Sequence, residues 1–596
     1  MIKKLKKDLY IFILIAILLF GFALRIYNYN WDNDHYLHPD ERYNALTAVN
    51  IKMPRDLSEY LDPQKSPLSP YNTDYKAYIY GTLPLFLTKI LAVQLDMDTY
   101  GDIHEVGRVI SAVFDTGTIL LVYVIAREFL NKRHSLIAAL FYTLTVLAIQ
   151  FSHFFTVESF LVFFTALTLK MLLRLLHTQG NKEFLYTLLT GITFGLALAS
   201  KISALFFGTI IAVVFLVLLW RKMDQDGWKA GLFKTISQGI LLLVVTYLVF
   251  RFIQPYLFST NNWLDFTINP EFLSVFNFLQ LAQKGEVIFP PQYQWMNTAP
   301  YIFPIKNLLV WGMGLPMFIG SIAGLITFFI QEFRKLPHQI SWKKFFQFLS
   351  QPLILMLIWI VFLFLYIGGN FVKSMRYLVP ILPMMAIAAA YFLSFFNKNK
   401  WRVILIFLII FLTSLFWALA YLNIYSLDST RIAASKWIHQ NIPEDSIVAN
   451  ESWDDPLPAS LSQQDFVNET VIPNKRFVGI MMDVYNADDN QKLKDIYDDI
   501  SSADYIFLSS ARASGTIGKL PDKFPYMVKF YQLLDSGELG FTLVKEFTSY
   551  PNLLGIVIDD SSAEESFWVY DHPKVRIYRK DKTISAVEFR SLILNL

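Results

Sequence analysis

Two adjacent carboxylates carry the most suggestive chemistry in this chain. Asp40 and Glu41 lie in the run HPDERY (38–43), just past an apolar stretch that spans residues 9–27. Charges at the mouth of a helix bundle are costly unless solvated, paired or used, so the pair marks a candidate site. One carboxylate can take the proton of an attacking hydroxyl while its neighbour orients a reactant. The same two residues could instead cap the helix predicted for RYNALTAVNIK, since a helix N-terminus favours negative charge. Four cations occupy comparable positions: Arg108, Lys201, Lys373 and Arg376. Grouped cations can hold an anion and stabilise charge that develops on a leaving group. Lys201, Lys373 and Arg376 would serve equally as interfacial anchors whose heads reach for water.

The elements that must position these groups form a membrane bundle. Apolar runs long enough to cross about 30 Å of hydrocarbon occur near 9–27, 107–128, 134–152, 157–176, 185–200, 202–220, 232–252, 304–330, 353–368, 376–396 and 402–423. Basic residues of short connections set the orientation. MIKKLKK, Lys132 with Arg133, Arg174 with Lys182, Arg221 with Lys222, Arg334 to Lys344 and Lys398 to Arg402 all fall inside if the chain alternates through eleven spans. The N-terminus is then cytoplasmic. The long loops 28–106 and 253–303, and everything after Tyr421, are outside. Phe12 to Phe22 reads as a retained span because no small-residue cleavage site follows it. YGTLPLFLTKILAVQL (80–95) is short and broken by proline, which predicts an interfacial helix.

This frame gathers Asp40, Glu41, Arg108, His153, Glu158, Lys201, Lys373, Arg376 and Tyr377 at the outer face. A cavity lined by both signs of charge suits a reaction on an anionic lipid head group. His153 reads as readily as a structural histidine, and Glu158 as a helix-start acid. Asp115 lies seven residues past Arg108, about 10 Å along the helix and on nearly the same face. An acid there must be buried, and it calls for a basic or hydroxyl partner.

Composition agrees with a membrane protein. The chain has 596 residues, 54% of them hydrophobic, with mean hydropathy +0.39. It contains no cysteine, which excludes disulfides, thiolate metal sites and cysteine nucleophiles. The net charge of +3 hides a split: from Asp428 onward there are 17 basic and 26 acidic residues. No concentrated basic face suggests nucleic-acid binding.

The predicted organisation is a transmembrane catalytic domain at 1–424 and a soluble domain at 425–596. In the tail, SIVAN (446–450), ADYIFLSS (503–510), GFTLVKEF (540–547) and VRIYRK (575–580) read as strands. Thr430 to Asn441, KLKDIYDDI (492–500) and PYMVKFYQLLDSG (525–537) read as helices, the last with a glycine stop. That alternation predicts a small α/β domain with its own core.

Three features together resemble the GT-C superfamily of membrane glycosyltransferases: the acidic pair in the first outer loop, Arg108 at the outer start of span two, and RYLVPILP (376–383). The resemblance is to its polyprenyl-phosphate-sugar-dependent group, which includes protein O-mannosyltransferases and lipid A aminoarabinose transferases. GLALASKISAL (195–205) resembles that group's Gly-Leu-Ala…Lys segment. WDDPLP (453–458) and VYDHPKVRIYRK (569–580) resemble a bacterial branch of it. Two departures stand out. Arg42 follows Asp40 by two residues rather than three, so no role is carried to it, and Glu158 stands where many relatives have Asp.

The resemblance implies a donor sugar on a polyprenyl phosphate, Asp40 as base with Glu41 orienting, and inversion at the anomeric carbon. Arg108, Lys201, Arg376 and Lys373 are then the phosphate-binding candidates. His153, Glu158, Asp115, Tyr377, Trp453 and Asp454 stand behind the site or on the acceptor side. WDDPLP and YDHP would otherwise be turns. No cofactor or metal is assigned, and a divalent metal stays open. The acceptor is a protein, a glycan or a lipid, and the location is the cell membrane. Two other readings compete. An oligosaccharyltransferase would need a divalent metal and a peptide-reading motif. A lipid-linked-sugar transporter or flippase predicts internal repeats with broken helices at matching positions.

Overall fold

The computed structural model describes residues 2–74, 76–335, 341–396, 399–466 and 469–594. The side chains of the basic N-terminal stretch up to Asp8, residues 336–340 and Lys398 lie outside the described set, and these are part of the basic-loop argument. The chain divides into two compact units. One comprises 1–29, 39–281 and 300–418; the other comprises 30–38, 282–299 and 419–596. Two loop pieces, 30–38 and 282–299, therefore belong to the unit built on the tail.

The first unit is a polytopic helical membrane protein. Among the described residues, ten helices are long and apolar enough to cross a bilayer, eleven if the bent pair Lys132–Thr143 and Val146–Ser152 is one span. That pair turns by 59° at its break. The apolar run expected at 304–330 is two elements: a short helix over 302–312, then the span Leu315–Arg334. Gly314 at φ 82° and Pro316 at the next helix start separate them. The stretch at 80–95 forms the helix Thr82–Gln94.

Burial follows position in the bundle. Outer spans leave Phe12, Phe233, Leu243 and Leu405 more than half exposed, the surface that lipid must cover. The spans starting at Glu158 and Met375 are each 78% buried over their apolar window. The two most enclosed spans thus begin with Glu158 and, one residue in, Arg376.

The second unit contains a five-stranded sheet. Its order is Val478–Met482, Ile447–Glu451, Tyr505–Leu508, Val575–Lys580 and Phe541–Phe547. The first three strands are parallel, with Val448 opposite Gly479 and Ala449 opposite Ile506. The last two are antiparallel. Helices Asn490–Ser502 and Pro525–Ser536 supply Leu493, Ile496, Phe530 and Leu534 to the core. Strand Val478–Met482 has no alternating apolar pattern and is half exposed, so periodicity does not reveal it.

His572 ties this unit together. Its Nε2 is 2.7 Å from Asp560 and its Nδ1 is 2.5 Å from Asp571, whose other oxygen accepts the hydroxyls of Tyr421 and Tyr425. Burial works against its charge, but the two carboxylates prevail and push it up to about 10. A raised imidazole stabilises the fold fully below its unfolded value and loses that contribution as pH rises through the folded value. The thermal midpoint of the second unit should therefore fall between pH 7 and 10. His572→Gln should begin lower and lose less over the same interval, as read by near-UV circular dichroism melts. Parallel slopes in the two proteins would refute the clamp.

Candidate active site

Asp40 and Glu41 sit in the first turn of the helix Pro39–Asn50. Successive residues on a helix point about 100° apart, so the two carboxylates meet different partners. Glu41 is fully buried. It accepts Arg108 Nε and Nη2 at 2.7 Å each and the Phe155 amide at 2.9 Å. Arg108 Nη1 donates to the Tyr29 carbonyl at 3.0 Å. Asn44, one turn further on the same helix, donates to the Phe155 carbonyl at 3.0 Å. A Cβ at position 107 would lie 2.2 Å from the Phe155 ring, so Gly107 permits this close approach.

Asp40 faces the more open side. Arg376 Nη1 donates to it, while Arg376 Nε donates to Glu158 Oε1 at 2.5 Å. Lys201 Nζ donates to the same Glu158 oxygen at 2.9 Å and lies 5.3 Å from the Tyr377 ring centre. Two cations and two carboxylates thus form a neutral quartet. Side-chain exposure is 23% for Asp40, 20% for Arg376 and 15% for Lys201, against 1% for Glu158. Arg376 Nη2 and Glu158 Oε2 have no partner among the described residues.

Local structure explains the assembly. Glu158 opens its helix, where the dipole favours an anion. Ser374 caps the turn that presents Arg376, accepting the Arg376 amide at 3.2 Å. Lys201 occupies an extended residue, φ −158° and ψ 128°, between the helix Asn181–Ser200 and the next turn. A Cβ on residue 81 would lie 2.1 Å from the Ala199 carbonyl oxygen, so Gly81 brings the first long loop directly onto that break.

Sequence reasoning did not single out Tyr80, whose hydroxyl is hydrogen-bonded to Asp40. Burial, reinforced by the Asp40 charge, holds this hydroxyl well above its ordinary value, so it stays protonated. The signal available was its place before Gly81, in a loop that already held the acidic pair.

Other expected site residues have different surroundings. Arg108, a phosphate-binding candidate, is enclosed with Glu41, which points inward. Lys373 is buried, donates to the Phe371 carbonyl at 2.9 Å, and is pushed below its ordinary value by burial. Both ring nitrogens of His153 face carbonyls, of Ile149 at 2.8 Å and Tyr27 at 3.0 Å. Asp115 is bound by Arg25 and the Tyr142 hydroxyl, each at 2.5 Å. In the second unit, the Asp454 side chain, 4% exposed, accepts Arg431 at 2.5 Å and Ser510, and Trp453 is half exposed at φ 71°.

Among the described residues there is no group of three or more potential metal-ligating side chains. Between Asp40 and Glu158, where a cation would bridge the carboxylates, stands the Arg376 guanidinium.

Residues 58–264 match the family described as dolichyl-phosphate-mannose-protein mannosyltransferase. No individual curated protein matches the chain. Among solved structures, the chain is similar to the archaeal oligosaccharyltransferase AglB from Archaeoglobus fulgidus in complex with an inhibitory peptide and a dolichol-phosphate. The TM-score is 0.52 at 14% identity, over 94% of this chain and 75% of that one. The apo form of the oligosaccharyltransferase from the same organism gives 0.52 at 14% identity, over 97% and 89%. ArnT from Cupriavidus metallidurans bound to undecaprenyl phosphate gives 0.48 at 13% identity, over 96% and 97%. At these identities the likeness to solved structures is one of fold.

Removing one partner of a buried ion pair strands the other, at about 3–5 kcal/mol. Glu41→Ala should accordingly lower the melting temperature of the detergent-solubilised protein by several degrees. Asp40→Asn, at a partly open position where Glu158 still pairs with Arg376, should lower it by less. Equal losses in differential scanning fluorimetry would contradict the division of roles.

Proposed function

We propose that the chain is a PMT-like glycosyltransferase of the GT-C superfamily, as the family match over residues 58–264 and the fold support, and that it moves a single sugar from a polyprenyl-phosphate donor to a hydroxyl acceptor. The observation that carries this reading is the partly open Asp40–Arg376–Glu158–Lys201 quartet. Asp40 accepts the proton of the acceptor hydroxyl as its oxygen attacks the anomeric carbon. The bond from that carbon to the phosphate oxygen breaks, its electron pair leaves with the phosphate, and the configuration inverts. Arg376 and Lys201 receive the phosphate charge. Glu158 holds these two cations together against their repulsion. Arg376 Nη2, which has no partner among the described residues, is the donor available to an incoming anion.

A phosphate that draws Arg376 toward itself would also strip Asp40 of its counter-ion and make it the stronger base. Donor binding and base activation are then one event. Glu41 and Arg108 position the helix start that carries Asp40. The dolichol-phosphate in the AglB structure supports a polyprenyl-phosphate donor here. The basic-loop pattern supports a cytoplasmic N-terminus and a site on the outer face.

The AglB likeness favours oligosaccharyl transfer as a second reading. Against it stands the pairing of Arg376 with both Asp40 and Glu158, which matches these carboxylates with a guanidinium.

Transfer from a radiolabelled polyprenyl-phosphate sugar, assayed on membranes beside donor binding, tests the proposal. Asp40→Asn should keep donor binding and lose about 10²–10⁴-fold in rate. Arg376→Ala should weaken donor binding as well. Wild-type transfer by Asp40→Asn would remove Asp40 as the base.

A further inference from the structure

The second unit holds a cluster of polar side chains that the transfer reaction does not use. Strand Ile447–Glu451 lies between Val478–Met482 and Tyr505–Leu508, all three parallel. After Glu451 the chain continues to the strand on one side. After Leu508 it moves toward the opposite edge, to Phe541–Phe547. Where neighbouring parallel strands send their chains in opposite directions, a crevice opens at their carboxyl ends, and ligands of open α/β sheets bind there. The loops after Glu451 and Leu508 meet at this point: Ser510 donates to Asp454, and Arg512 Nη1 donates to the Trp453 carbonyl at 2.7 Å.

The floor holds hydrogen-bonding capacity that its own contacts leave unused. Glu451 is 2% exposed and accepts the Tyr531 hydroxyl through Oε1, while its Oε2 has no partner among the described residues. The buried Tyr485 hydroxyl also lacks one, and it is surrounded by Glu565, Glu451, Arg512 and Asp454. Burial pushes Glu451 up to about 8, so it is a neutral donor and acceptor at neutral pH. The cations are matched in charge: Arg512 lies 2.7 Å from Glu565, and Arg431 lies 2.5 Å from Asp454, while Arg431 Nε and Nη1 have no hydrogen-bond partner among the described residues. Beside this floor stands Trp453, 53% exposed at φ 71°, a backbone conformation rare for a bulky residue, with the Phe289 ring 6.4 Å away.

We propose that this crevice binds a sugar unit of a glycan acceptor, with Trp453 stacking on the ring and Tyr485 and Glu451 pairing with its hydroxyls. The floor has no uncompensated cation for a phosphate and no uncompensated carboxylate for a basic peptide. A neutral, hydroxyl-rich ligand can pair with the Glu451 and Tyr485 groups and, through its oxygens, with the unpartnered Arg431 Nε and Nη1, and an indole face suits the C–H face of a pyranose. The site narrows the acceptor of the proposed transferase to a glycan, and it rests on that reading for its purpose but not for its binding.

The test is isothermal titration calorimetry on the full-length protein in nanodiscs. The probes are soluble oligosaccharides of mannose, glucose, galactose and N-acetylglucosamine, with an unglycosylated Ser/Thr-rich peptide as comparison. At least one oligosaccharide should bind saturably. Trp453→Ala should weaken it at least tenfold and Tyr485→Phe several-fold, while Asp40→Asn should leave it unchanged. No saccharide binding, wild-type affinity in both tail variants, or binding of the peptide alone would overturn the proposal. Saccharide binding that depends on Trp453, together with wild-type transfer by Asp40→Asn, would sink the catalytic reading and leave this site standing.

Discussion

One guanidinium between two carboxylates organises the membrane unit. Arg376 joins Asp40, from the first long loop, to Glu158, at the start of an enclosed span, and Glu158 passes the contact to Lys201. Four segments far apart in sequence meet through these bonds. Buried charges tolerate little misplacement, because each lost partner leaves a desolvated charge behind. The glycines at 81 and 107 belong to the same constraint. Each removes a Cβ that would keep a loop from reaching the helix beside it.

The adjacent acids illustrate how one turn of helix can serve two purposes. Glu41 turns inward to Arg108 and the Phe155 amide and fixes the loop before Glu158. Asp40 turns toward the open side. The rigid member supplies the placement that the accessible member needs, since positioned groups act only at near-contact distances. Arg25, Asp115 and Tyr142 form a separate buried set deeper along the same helix as Arg108.

Much of this was legible from residue types. Asp40, Glu158, Lys201 and Arg376 each fall at the end of an apolar run, and such ends share a membrane face, so their grouping follows from span counting. Asp115 demanded a partner because an acid within a span cannot stand alone. Direction was not legible. Whether Glu41 or Asp40 faces the cavity depends on where a helix begins, and a shift of one residue rotates everything by about 100°. The pairing of Arg108 with Glu41 was not foreseen for that reason. Tyr80 was missed because its role depends on Gly81 touching a carbonyl more than a hundred residues away. In the tail, strands with alternating apolar residues were visible, whereas Val478–Met482, half exposed, was not.

The neutrality of the quartet bears on turnover under the transferase reading. A polyprenyl-phosphate sugar carries one negative charge on its phosphodiester, and the departing lipid phosphate approaches two. Cations that are half satisfied by Glu158 in the resting site attract the second charge more than the first. They therefore stabilise the transition state and product beyond the substrate, which is the condition for accelerating the chemical step. Unopposed, the same preference would trap the product. Glu158 limits it, because its carboxylate competes for both Arg376 and Lys201 and restores the neutral arrangement once the phosphate leaves. A single buried acid shared by two cations thus links the strength of phosphate binding to the ease of its release.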